Sequence, residues 1–112
     1  MRLVIGMFAA AALLFAGTLA TAQDGNALYQ KNCARCHGAD GHGDPEIKKT
    51  LPAVRDFADP AFLATAQTDQ IARTIMAGKG QMPAFGASLS LPKIQSLSGY
   101  VQRLGRGTVA KP

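Results

Sequence analysis

The stretch Cys33-Ala34-Arg35-Cys36-His37 packs two thiols and an imidazole into five residues, and the chain has no other cysteine. Such a group can close a disulfide, exchange electrons as thiols, bind a metal, or carry a cofactor. A Cys33–Cys36 disulfide would close a very short loop and add little stability. A redox-active C-x-x-C opens a helix after a strand in a βαβ setting, and no strand pattern precedes Ala34. Zinc has four potential ligands in Cys33, Cys36, His37 and His42. However, structural zinc sites use two separated ligand pairs, whereas Cys36 and His37 are adjacent and His42 follows closely.

The remaining chemistry is covalent attachment of a c-type haem, for which C-x-x-C-H is the recognition sequence. On a helical turn, residues i and i+3 share a face. Cys33 and Cys36 can therefore form thioethers with the two vinyl groups along one side of a porphyrin, and His37 then offers its imidazole to iron. A second axial ligand is sought among Met76, Met82 and His42. The apolar pattern around Met76 predicts a helix-core residue, and His42, between two glycines, is expected to be solvated. Met82 lies in the loop GKGQMPAFG (78–86), followed by the stiffening Pro83. It is the expected sixth ligand, because His/Met is an established cytochrome c pair.

The 112 residues suit one domain preceded by a leader. Met1 and Arg2 give a positive start, an apolar run follows from Leu3 to Phe15, and Ala20-Thr21-Ala22 forms a small-x-small site. This is the layout of a signal peptide over residues 1–22, cleaved before Gln23, with residues 23–112 as the mature domain. A retained anchor is the alternative, since the apolar stretch reaches about 20 residues, near the spanning minimum. Export implies a periplasmic location, where covalent haem attachment takes place.

The net charge is +5. Beyond the leader the basic residues are scattered from Lys31 to Lys111, with no run longer than Lys48-Lys49, which argues against the clustered stripe of a nucleic-acid binder. The excess suits steering toward periplasmic or membrane-bound redox proteins with acidic docking patches. Solubility is the plainer explanation for the same charge. No catalytic acid–base set is evident, so neither enzymatic activity nor a small-molecule substrate is expected.

The pattern predicts four short helices joined by Gly- and Pro-rich loops. Asp24 is expected to cap the first, running to about Ala34. Residues 38–50 read as a polar loop. Asp59-Pro60 opens a helix to about Ala66, Thr68-Asp69 opens another that ends at Gly78, and Ser90 opens the last, with Ile94, Leu97, Val101 and Leu104 on one face.

Together, CARCHGADGHGD (33–44), MPAF (82–85) and the terminal helices resemble the class I monohaem cytochromes c of bacteria, over about Asp24 to Leu104. The resemblance implies an all-α cytochrome c fold, with the N- and C-terminal helices crossing around one covalently attached haem. Gly25 and Tyr29 would meet Leu97 and Tyr100 at the crossing. It also implies a proline whose carbonyl accepts from the axial imidazole. Pro52 is the candidate, with Pro45 as the alternative. The function implied is that of a monomeric single-electron carrier. Two rivals stand beside it: a dedicated cytochrome subunit of a periplasmic dehydrogenase or oxidase, and a haem-based sensor with an open sixth site.

Overall fold

A computed structural model describes residues 20–109. The expected leader lies outside the described residues except for its last three, which form the first turn of the opening helix. Six helical segments follow in order: α1 (Ala20–Asn32), α2 (Ala34–His37), α3 (Pro45–Thr50), α4 (Pro60–Thr65), α5 (Thr68–Ala77) and α6 (Leu91–Gly105). Among the described residues there is no strand, only an isolated bridge between Lys79 and Met82. The all-α class holds.

Two boundaries differ from expectation. α1 begins at Ala20 and runs through Asp24 instead of starting behind it; alanine is the strongest helix former, and Ala20 and Ala22 extend the helix backward. α1 also stops at Asn32, whose side-chain amide donates to the Leu28 carbonyl at 2.8 Å. The expected loop 38–50 contains α3. Asp44 caps it by accepting from the amides of Glu46 and Ile47, both at 3.0 Å, and Pro45 takes the first position. Glu46 in the first turn and Lys48 and Lys49 in the last suit the helix dipole. The three glycines ahead of it obscure this start signal, although Asp59-Pro60 spells the same one for α4.

α6 is the spine. It buries Ile94, Leu97, Val101 and Leu104, the predicted apolar face, together with Tyr100. α5 contributes Ile71 and Ile75, and α1 contributes Tyr29. Ser98, the buried polar residue of this core, donates to the Ile94 carbonyl at 2.7 Å and so is satisfied. Gln102 donates to the Ala66 carbonyl at 2.7 Å, tying α6 to the end of α4.

α1 crosses α6 at Gly25. A Cβ there would stand 3.0 Å from the Ser96 carbonyl oxygen and 3.2 Å from the Tyr100 Cβ. The missing side chain is what lets the two backbones approach. One turn on, the rings of Tyr29 and Tyr100 meet at 5.2 Å between centroids. The Tyr100 hydroxyl donates to Asn26 Oδ1 at 3.0 Å. The crossing expected of Gly25, Tyr29, Leu97 and Tyr100 is present.

Gly25→Val should wedge the helices apart and cost about 1–3 kcal/mol of stability in denaturant titration, the range for overpacking. Gly99 lies within α6, where a Cβ would meet chiefly the flexible Arg103 guanidinium. Gly99→Ala should therefore be neutral or stabilising by about 0.5–1 kcal/mol.

Candidate haem-binding site

The five-residue motif leaves α1 through Cys33, whose carbonyl accepts from the amides of Cys36 at 3.2 Å and His37 at 3.0 Å. This closes α2 as one tight turn and puts both thiols three residues apart on it. Both cysteines are free and half-buried. Burial, with Cys36 beside it, pushes the Cys33 thiol up to about 11. A thiol so held is protonated at neutral pH, the reverse of a redox-active nucleophile.

The motif's carbonyls are pinned in turn. Gly38 N–H donates to Ala34, Asp44 N–H to Cys36 at 2.9 Å, and Gly43 N–H to His37 at 2.7 Å. The Tyr29 hydroxyl reaches over from α1 and donates to the Gly38 carbonyl at 2.7 Å. Burial raises the Tyr29 phenol well above its usual range, so it remains a donor throughout the physiological range.

The His37 ring stacks on Phe57, with centroids 4.7 Å apart and planes 20° apart. Its Nδ1 is buried and has no hydrogen-bond partner. Burial lowers the imidazole's pKa, while the Arg55 main chain, lying against the ring, works the other way without a hydrogen bond of good geometry to Nδ1. The neutral ring this favours is the form that binds metals. Pro52, the candidate for that neighbour, stands exposed on the same loop, and Pro45 is exposed at the start of α3.

Met82 is presented by a tight turn. Lys79 and Met82 exchange both main-chain hydrogen bonds, at 3.1 and 3.0 Å. Gly78 ends α5 at φ 72°, and a Cβ there would come 2.7 Å from the Met82 carbonyl oxygen, so no other residue fits without moving the turn. The amides of Phe85 and Gly86 donate to the Ile75 and Met76 carbonyls at 2.9 and 3.1 Å. The open end of α5 is thus capped by the loop that carries Met82. Met76 and Met82 are both half-buried against the core. They differ in setting: Met76 lines a groove of about 520 Å³ between α5 and the start of α6, with Leu91, Gln95 and Ser98.

His42 does not join the cysteines. Its Nδ1 lies 3.0 Å from Asp56 Oδ1, and among the described residues no three His, Cys, Asp or Glu side chains gather around a common metal position. Sequence reasoning missed Phe57 and Asp56, which arrive at the site from the loop before α4. The available signal was an aromatic residue in an otherwise polar stretch, Arg55-Asp56-Phe57.

The family model described as "Cytochrome C oxidase, cbb3-type, subunit III" matches residues 20–101. The chain belongs to this family. It is similar to the cbb3-type cytochrome c oxidase subunit FixP of Azorhizobium caulinodans, at 35% identity over 92 residues, covering 81% of this chain and 30% of the relative. It is also similar to subunit FixPc of Rhizobium leguminosarum bv. viciae, at 35% over 88 residues (78% and 29%). A third relative is subunit CcoP of Azospirillum brasilense, at 33% over 89 residues (79% and 30%). The chain spans about 30% of the length of these relatives.

The protein is therefore an electron-transfer cytochrome c domain, and membership implies covalently bound haem c. The residues present fit that group: two unpaired thiols on one turn, followed by a buried imidazole whose Nδ1 has no partner. No helix of the described residues is long and apolar enough to cross a membrane.

Proposed function

We propose that this cytochrome is a single-electron relay serving a cbb3-type oxidase, with one haem held by Cys33 and Cys36 and its iron bound by His37 and Met82. The observation that carries it is the turn Cys33–His37, where both thiols and a partnerless imidazole stand ready together. The similarity to FixP and CcoP subunits supports an oxidase component over a free carrier. When bound, the haem iron supplies a one-electron couple.

The chain's own residues set the conditions for that couple. His37 would hold the iron through Nε2, since its Nδ1 is buried. Phe57 covers the imidazole face and keeps water from it. Met82 contributes a soft thioether, which favours the ferrous form and raises the potential. Both His37 and Met82 are carried on hydrogen-bonded backbone, which would hold the two ligands in place. No side chain need transfer a proton to a substrate.

Exposed Lys31, Arg35, Arg55 and Lys79 flank the motif, the His37 loop and the Met82 turn. They suit docking to an acidic patch on a redox partner, by steering that weakens with salt. The relay works as a monomeric domain on the periplasmic side, following removal of residues 1–22 or while held by them.

Met82→Ala should leave haem attached, open the sixth position to carbon monoxide in the ferrous protein, lower the midpoint potential and abolish the weak near-infrared band of sulfur–iron bonding. Met76→Leu conserves apolar volume and should change these little. The opposite pattern would assign the ligand to Met76. Ferrous wild-type protein should be reoxidised in air faster when a cbb3-type oxidase is added; no acceleration would contradict the oxidase role.

A further inference from the structure

The Arg55 main chain and the Phe57 side chain, which flank Asp56, both bear on the His37 ring. Between them, Asp56 is gripped from outside. Its Oδ1 accepts from the Ala58 amide at 2.8 Å and meets His42 Nδ1 at 3.0 Å. The His42 side has the same arrangement. On one side of His42, the Gly41 carbonyl accepts from Phe57 N–H at 2.9 Å; on the other, Gly43 N–H donates to the His37 carbonyl at 2.7 Å. The His42–Asp56 contact therefore clips together two short segments whose neighbouring residues hold His37 by its ring and by its backbone.

We propose that His42 and Asp56 form a positioning pair that orients the His37 imidazole and couples the cytochrome's midpoint potential to pH. This rests on His37 as the iron ligand.

The charged groups facing the pair are Asp40, which accepts from the His42 amide at 3.0 Å, and Lys48, whose ammonium donates to the His42 carbonyl at 2.6 Å. Burial slightly opposes ionisation of Asp56, but the Ala58 amide, His42 and Lys48 outweigh it and hold the carboxyl below its usual range. Asp56 is thus charged throughout the neutral range, and of the two side-chain types in the contact, imidazole is the one suited to exchange a proton in that range. With the Asp56 carboxylate accepting at Nδ1, the proton is gained or lost at Nε2. The side chains are 50% and 38% exposed, so solvent supplies it.

The sign follows from charge. Protonated His42 balances Asp56. As pH rises and the proton leaves, the charge beside Arg55 and His37 becomes more negative, which favours ferric over ferrous iron. The potential therefore falls with rising pH. By linkage, each electron received from a redox partner is accompanied by a fraction of a proton taken from water onto His42 Nε2.

The test is redox titration of the purified holoprotein between about pH 5 and 8, which brackets the ordinary histidine value. The wild-type ferrous/ferric equilibrium should shift about two- to tenfold across this range, the scale of one partly screened charge; tenfold corresponds to about 59 mV. His42→Gln keeps an amide donor for Asp56 but cannot titrate. It should retain haem and its axial spectrum while the profile becomes flat. A flat wild-type profile, or a His42→Gln profile that tracks the wild type, overturns the inference while leaving His37 ligation intact. Absence of covalent haem or of histidine ligation in the wild type overturns the underlying reading and the inference together.

Discussion

Tyr29 is fully buried, and its hydroxyl is bonded to the Gly38 carbonyl. That hydrogen bond joins the crossed helices to the Cys33–His37 turn. The ring of Tyr29 belongs to the α1–α6 crossing, packed on Tyr100. Its hydroxyl belongs to the motif, where it fixes the residue directly after His37. Breaking such a bond would strand a polar group in a buried setting, which costs more than the bond's net contribution. The crossing and the site therefore hold together as one unit, and the close approach at Gly25 is a requirement of both.

The other half of the site depends on α5 in the same way. The last carbonyls of a helix need partners from outside it. Here Gly78, Phe85 and Gly86 supply them, and the chain between them is the turn that presents Met82. The helix cap and the Met82 loop are one structure. Substitutions that loosen one loosen the other. The His42–Asp56 contact adds a third such arrangement on the His37 side, built from two ionisable side chains.

Much of this was legible in the sequence because the signals were local. The motif at 33–37, the Asp59-Pro60 start and the period of Ile94, Leu97, Val101 and Leu104 each lie within one helix or turn. Met82 stood out by its glycine-rich surroundings. What could not be read depends on contacts between distant segments. Phe57 reaches His37 across twenty positions, and Asp56 reaches His42 across fourteen. A loop that looks only polar gives no sign of which residue turns inward. The Arg55 main chain, three residues beyond Pro52 on the same loop, also bears on the His37 ring. α3 was missed for a different reason, since its complete start signal follows a run of glycines that reads as loop.

The central claim is that Cys33 and Cys36 carry haem covalently. Mass spectrometry of the exported, denatured protein tests it most directly. The account predicts a mass equal to the polypeptide plus one haem, with the added mass on the peptide holding Cys33 and Cys36. A mass equal to the bare polypeptide, or haem lost on denaturation, would contradict it.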